Sequence, residues 1–374
     1  MLHSFAIAAK RNSGRKGGRV AERMVTGRRA FLAAAGAAAL GMRTARAAAP
    51  VTELLRLDRN ESPLGPGPRV RALLADAGAL AGRYPDASGE PVRRALAAHH
   101  GVPAECVVPT CGSVEGIELA LRELLREGER VATPAPVFQL VPPLAGQAGG
   151  VVVPVPVRAD GAPDLDALLA VPRARVLFVV NPHNPTGGAC ARAELERLVA
   201  RRPAGCCVVV DEAYLAYGGG EAASVLALAA RTPDLVVLRT FSKAHGLAGL
   251  RIGYAVAEPS LAARLARLRL RNGVGLPAET VVPAALADTG HLARVTDLNA
   301  RARDVMTQGL ARLGWRPFGS RANFVLADVP RAAEVEARLA SRGILVHRPA
   351  DRPDSLRVTT GTLAQVRRFL DALK

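Results

Sequence analysis

Short aliphatic runs alternate along the chain with longer stretches in which apolar positions recur every three or four residues. The runs at 130–132, 176–180, 206–210, 235–238 and 252–256 predict strands, and the stretches at 91–100, 114–126, 193–202 and 260–271 predict helices. Residues 151–157 read as an extended segment broken by prolines. Strands apolar on both faces, separated by helices, predict an α/β fold: a mostly parallel sheet with helices on both faces. Beyond residue 276 the pattern shifts to helices at 278–287 and 292–313, a strand at 323–327, a helix at 331–341, short strands at 344–346 and 356–359, and a closing helix at 363–373. That order predicts a smaller α+β domain beside the sheet. Residues 55–68 are rich in proline and glycine and follow neither period, which predicts an extended arm crossing another surface. The expected divisions are a leader at 1–49, the arm at 50–80, a large domain at 81–271 and a small domain at 272–374.

Composition narrows the class. With 374 residues, 49% of them hydrophobic and 3% aromatic, the chain can bury a large aliphatic core. The net charge of +17 is uneven: residues 1–50 hold ten bases and one acid, and the rest holds 40 bases and 32 acids. Arginines interspersed with acids, and few aromatics for base stacking, argue against a nucleic-acid partner. The arginines at 264, 267, 269 and 271 read as a solvated helix face rather than a membrane-surface helix. Thr26-Gly-Arg-Arg-Ala-Phe-Leu32, an apolar stretch to Met42 and small residues up to Ala49 resemble a twin-arginine export signal, which implies a periplasmic location, or a cytoplasmic one if the segment does not work as a signal. The apolar stretch is about ten residues, half of the roughly 20 needed to span a bilayer, so no stable membrane anchor is expected. Met24 would make a compact alternative start. Cys106, Cys111, Cys190, Cys206 and Cys207 show no metal-ligand spacing, and the adjacent pair, facing opposite sides of a strand, reads as core.

The chemistry centres on one residue. Lys243 is the only lysine between Lys16 and Lys374 in a chain that otherwise uses arginine for positive charge. Arginine serves solubility and ion pairing, but its guanidinium stays protonated and cannot act as an amine nucleophile or base. Lys243 follows a predicted strand and is flanked by Thr240, Ser242 and Arg251, groups suited to a phosphate, with Gly246 and Gly249 allowing close backbone approach. Ligands of such sheets bind at the carboxyl ends of the strands, where Asn184, Asp211 and Tyr214 also fall. An amine, a carboxylate for a ring nitrogen and donors for a phenolate oxygen are what a pyridine-aldehyde cofactor requires; Lys243, Asp211, and Asn184 with Tyr214 supply them. The turn at Gly112 and Ser113 opens a predicted helix whose amides could bind the phosphate.

Several motifs carry a resemblance: Asn60-Glu-Ser-Pro-Leu-Gly-Pro, Arg83-Tyr-Pro-Asp86, Asn181-Pro-His-Asn-Pro-Thr-Gly187, Asp211-Glu-Ala-Tyr214, Ser242-Lys-Ala-His-Gly-Leu-Ala-Gly-Leu-Arg-Ile-Gly253, Ala322-Asn-Phe324 and Leu356-Arg-Val-Thr-Thr-Gly361. Residues 55–374 resemble the fold-type-I, pyridoxal-phosphate-dependent aminotransferases, and are most similar to the histidinol-phosphate branch. The resemblance implies pyridoxal 5′-phosphate as cofactor, Lys243 as the Schiff-base lysine, Asp211 on the pyridinium nitrogen, and Asn184 and Tyr214 on the phenolate. It further implies Phe138 stacked on the ring, phosphate held by Thr240, Ser242, Arg251 and the Gly112-Ser113 turn, and Arg357 on the substrate carboxylate, with Asn60 and His347 on the substrate side. A homodimer is implied, in which Tyr84 reaches the other subunit's cofactor phosphate. The implied reaction has two halves, in which an amino donor displaces Lys243, whose freed amine moves the Cα proton, and a 2-oxo acid then takes the amino group.

The chain departs from that branch at the substrate end. An asparagine-rich stretch is replaced by Asn272-Gly-Val-Gly-Leu-Pro277, an expected arginine by His347 beside Arg348, an aspartate by Val114 and a tyrosine by Val141. These changes leave the cofactor chemistry intact and leave the amino donor open. The alternatives are a pyridoxal-phosphate-dependent decarboxylase of a phosphorylated amino acid and, more remotely, an exported cofactor-binding protein without catalysis.

Overall fold

Residues 54–374 are described by a computed structural model; the leader with its export motif lies outside the described residues. Strands β1 (Leu55–Arg56), β2 (Val107–Thr110), β3 (Arg130–Ala135), β4 (Val151–Pro156), β5 (Ala174–Val180), β6 (Cys207–Asp211), β7 (Leu235–Thr240) and β8 (Gly253–Val256) alternate with helices. Those helices are α1 (Pro68–Ala75), α2 (Glu90–His100), α3 (Gly112–Leu124), α4 (Val141–Gln147), α5 (Leu165–Leu169), α6 (Arg192–Arg201), α7 (Leu226–Ala229) and α8 (Pro259–Leu268). Then come α9 (Leu276–Ala287), α10 (Thr289–Arg312), β9 (Arg316–Pro317), β10 (Phe324–Asp328), α11 (Ala332–Ser341), β11 (Ile344–Leu345), β12 (Ser355–Thr359) and α12 (Leu363–Asp371).

Seven strands form the main sheet in the order β2-β8-β7-β6-β5-β3-β4, and only β8 runs against its neighbours. The fold is α/β with a mostly parallel sheet, as the alternating runs predict. Side chains of a strand point alternately to opposite faces, so each central strand feeds two cores. Leu177, Val179, Val208, Val210 and Val237 join one core, while Val176, Phe178, Cys207, Val209 and Val236 join the other. Strand β2 escapes the sequence pattern because Pro109 interrupts it; as an edge strand paired only with β8, it tolerates the missing amide donor.

A second, antiparallel sheet of order β12-β10-β9 packs Val325, Ala327, Leu356 and Val358 into a third core with α10, α11 and α12. The arm carries regular elements that its sequence pattern does not show. Its first residues form β1, parallel to β11, with Leu55 and Leu57 buried in that third core, and its last proline opens α1. Between them, Asp58 to Glu61 are carried into the cleft between the strand ends and the second sheet. No helix among the described residues is long and apolar enough to cross a membrane.

Candidate active site

Parallel pairing lines up three strand ends. Val180 of β5 is in register with Asp211 of β6, and Asp211 with Leu238 of β7, so the segments after them emerge side by side. They border a cleft of about 760 Å³ lined by Asn60, Ser113, Phe138, Asn184, Asp211, Tyr214, Thr240, Ser242, Lys243, Arg251, His347 and Arg357, among others. Twelve of the fourteen residues singled out in the sequence therefore share one cavity. Gly112 stands behind Arg251, and Tyr84 does not line the cleft of its own chain: it is 88% exposed.

Lys243 enters from a tight loop after β7. The loop is braced by the Gly246 amide on the Lys243 carbonyl (3.0 Å) and the Leu247 amide on the Phe241 carbonyl (3.0 Å). Gly246 takes φ +70°, and a Cβ there would run into the backbone of Gly65, so glycine lets the arm lie against this loop. The Lys243 Nζ donates to the Arg59 carbonyl at 3.1 Å and lies 5.6 Å from the centre of the Tyr214 ring.

Asp211 is buried among the strand ends. Burial pushes its carboxyl up to about 6, against the pull of the Ala213 amide it accepts at 2.9 Å and the charge of Lys243. A buried carboxylate of this kind gains from a cationic N–H partner. The Tyr214 oxygen accepts from Asn60 Nδ2 (3.0 Å) and Asn184 Nδ2 (3.4 Å), which leaves the hydroxyl proton for a further acceptor.

The opposite rim is polar and cationic. Thr240 Oγ1 donates to Ser242 Oγ (2.9 Å), which also accepts from Arg251 (3.3 Å). Helix α3 begins here, with its free amides at Gly112 and Ser113. Gly112 adopts φ +77°, and a Cβ on it would occupy the space of the Arg251 guanidinium. Hydroxyls, a guanidinium and a helix N-terminus around a glycine-made recess form a donor set for a phosphate dianion.

On the second sheet, strand alternation turns Leu356 and Val358 into the core, Arg357 toward the cleft and Thr359 against Asn60. Arg357 donates to Asn184 Oδ1 (2.7 Å) and to the Asp58 carbonyl (2.8 Å), and its Nε is buried without a partner. An antiparallel bridge sets His347 beside it, and burial together with the Arg357 charge lowers the His347 pKa. Residues 273–275, where the chain departs from the branch it resembles, do not line this cleft; Val274 is part of a core.

Sequence reading missed the residues that hold these groups in place. Asn323 Nδ2 donates to the Asn60 carbonyl (3.0 Å), and Thr359 Oγ1 bonds both the amide and the side chain of Asn60 (2.9 and 3.1 Å). Both lie in motifs quoted above without a role, so their presence there was the available signal. The Arg59 carbonyl that receives Lys243 gives no signal at all, since every residue has one.

For pyridoxal 5′-phosphate the residues present fit: an amine, a buried carboxylate with no arginine partner, hydroxyl and amide donors, and a phosphate recess that a single Cβ would fill. The comparisons agree. The family model described as "Aminotransferase class I and II" matches residues 52–373. An aromatic amino acid aminotransferase of Rhodococcus jostii is 39% identical over 319 residues, covering 84% of this chain and 88% of the relative. A histidinol-phosphate aminotransferase of Anaeromyxobacter sp. is 38% identical over 330 residues, covering 86% and 91%. The crystal structure of histidinol-phosphate aminotransferase from Sinorhizobium meliloti in complex with pyridoxal-5′-phosphate superposes with a TM-score of 0.81 at 29% identity, covering 86% of this chain and 90% of that one. With its fold, its cleft and these relatives in agreement, the chain belongs to the aminotransferases of class I and II and is a transaminase dependent on pyridoxal 5′-phosphate.

Proposed function

We propose that this transaminase moves an amino group from an amino acid or an amino-alcohol phosphate to a 2-oxo acid, with Lys243 as both the cofactor's covalent partner and the proton carrier. The observation that carries this is the position of Lys243 Nζ, the one lysine amine among the described residues that line the cleft, alongside Asp211 and Arg357. When bound, pyridoxal phosphate supplies an electron sink for the pair left on the donor's Cα. Asp211 would hold the proton on the ring nitrogen, and Tyr214 and Asn184 would bond the phenolate oxygen. Thr240, Ser242, Arg251, Ser113 and the first amides of α3 would hold the phosphate, with Phe138 against the ring face. Arg357 binds the donor's carboxylate. The freed Lys243 amine would take the proton from the donor's Cα and deliver it to the cofactor carbon on the far side of the amino nitrogen, and the Arg59 carbonyl would steady the amine between transfers.

These relatives are named for an aromatic amino acid and for a phosphorylated amino alcohol, so both donor types are tested. The purified chain with cofactor should show the absorption of a lysine-bound pyridoxal, and productive donors should bleach it. Lys243→Arg should retain cofactor noncovalently and lose at least about 10²-fold in turnover, since proton transfer by a positioned group is worth roughly that much or more. Full activity in this variant would sink the assignment.

The same proposal makes the working unit a homodimer in which Tyr84, exposed on one chain, completes the phosphate site of a second copy. Sedimentation that finds only monomer in active solutions would remove that part alone.

A further inference from the structure

Next to the cleft lies a second cavity of about 220 Å³, which shares Phe138, Gln139, Asn184, His347 and Arg357 with it. Its remaining walls include Val137, Pro142, Pro185, Pro349 and Ala350, with Asp351 at one side. We propose that this cavity receives the side chain of the amino donor, and that the preferred donors are α-amino acids with uncharged apolar side chains of aromatic size, not phosphorylated amino alcohols. The inference rests on the transaminase reading, with Arg357 taking the donor's carboxylate.

Size is the first argument. A dry apolar cavity of about 150 Å³ accepts benzene, and this one is larger. Because Arg357 stands in the wall of both spaces, a donor whose carboxylate it holds can extend its side chain into the second.

Chemistry is the second. A phosphate ester needs several converging donors, preferably cationic. Here three wall residues are prolines, which have no amide to give. Among the described residues, Arg357 is the only arginine or lysine in this wall, so one guanidinium stands where a phosphate would need several cationic donors. His347 is held toward its neutral form by burial and by Arg357. Asp351 adds a carboxylate, fixed by the Val137 amide it accepts at 2.7 Å, and would repel a dianion. That bond also ties the loop after β3 to the loop before β12 and closes one side of the cavity.

The test compares kcat/KM of the holoenzyme for phenylalanine, alanine and histidinol phosphate with one 2-oxo acid. Burial of the ring should favour phenylalanine over alanine by roughly 10- to 10²-fold, and over histidinol phosphate by at least as much. Ala350→Trp and Val137→Trp, which fill the cavity, should each lower the ratio of phenylalanine to alanine kcat/KM at least about tenfold. Calorimetry with 3-phenylpropionate and propionate, neither of which can react, should show the same preference in binding.

Histidinol phosphate used as well as phenylalanine, or a ratio unchanged in both variants, would overturn the pocket assignment while leaving the transaminase reading standing. If no donor turns over, that reading fails instead, and equal binding of the two carboxylates then overturns the pocket on its own.

Discussion

Asp211 shows how one buried charge ties stability to chemistry. Its carboxyl is raised from 3.8 to about 6 by desolvation, so the folded chain holds this proton to higher pH than the unfolded chain does. The group therefore destabilises the cofactor-free fold above about pH 6, and the penalty disappears below about 3.8, where both states are protonated. Asp211→Asn should leave the cofactor-free chain at least as stable at pH 7.5 in thermal melts. Turnover should nevertheless fall by roughly 10²-fold or more, as when one preorganised electrostatic partner is removed. Unchanged turnover would show that the carboxylate is not the partner of the cofactor ring. Lys243 is the complementary case. Its candidacy was legible from composition, because arginine fills nearly every other cationic position and cannot replace an amine.

Elements place these residues through two simple periodicities. Parallel register brings the ends of β5, β6 and β7 to one edge, and alternation along β12 turns Arg357 into the cleft while its neighbours enter a core. Cys206 and Cys207 obey the same rule, one in each core of the main sheet, as their adjacency predicted. Helix α3 contributes its N-terminus, and Gly112 is the point where it can be tested. An alanine there would be held at φ +77° and would push on the Arg251 guanidinium. Gly112→Ala should weaken cofactor binding about tenfold or more in a dialysis titration while circular dichroism stays native. Unchanged affinity would place the phosphate elsewhere. The short elements were the illegible ones: β1 has two residues and β2 contains a proline, so neither shows a period, and each exists because a neighbouring strand supplies its hydrogen bonds.

At the scale of the whole molecule, burial sets the response to acid. Desolvation lowers His183 to about 3, and His245 and His100 to about 4, so all three stay neutral in the folded chain while the unfolded chain takes up protons below about 6.5. Proton uptake by the unfolded state alone means that stability falls as the pH drops from 6.5 toward 4. Asp211 and Glu279, both raised by burial, work in the opposite sense, but four histidines, His347 included, oppose these two carboxyls. The urea midpoint of the cofactor-free chain should therefore be lower at pH 5 than at pH 7; a higher one would mean these imidazoles are not neutral in the fold.

Local chemistry sufficed for much of this protein: the parallel sheet follows from short two-faced aliphatic runs between amphipathic helices, and the candidate cofactor groups that share the cleft from residue types with few substitutes. What only the tertiary structure decided is what depends on contacts between distant segments. The arm's entry into the cleft, the capture of Lys243 by the Arg59 carbonyl, the clamp of Asn323 and Thr359 on Asn60, and the apolar cavity beside Arg357 join residues up to about 300 positions apart. No periodicity or propensity records such pairings, because they arise when separate cores pack and close a space between them.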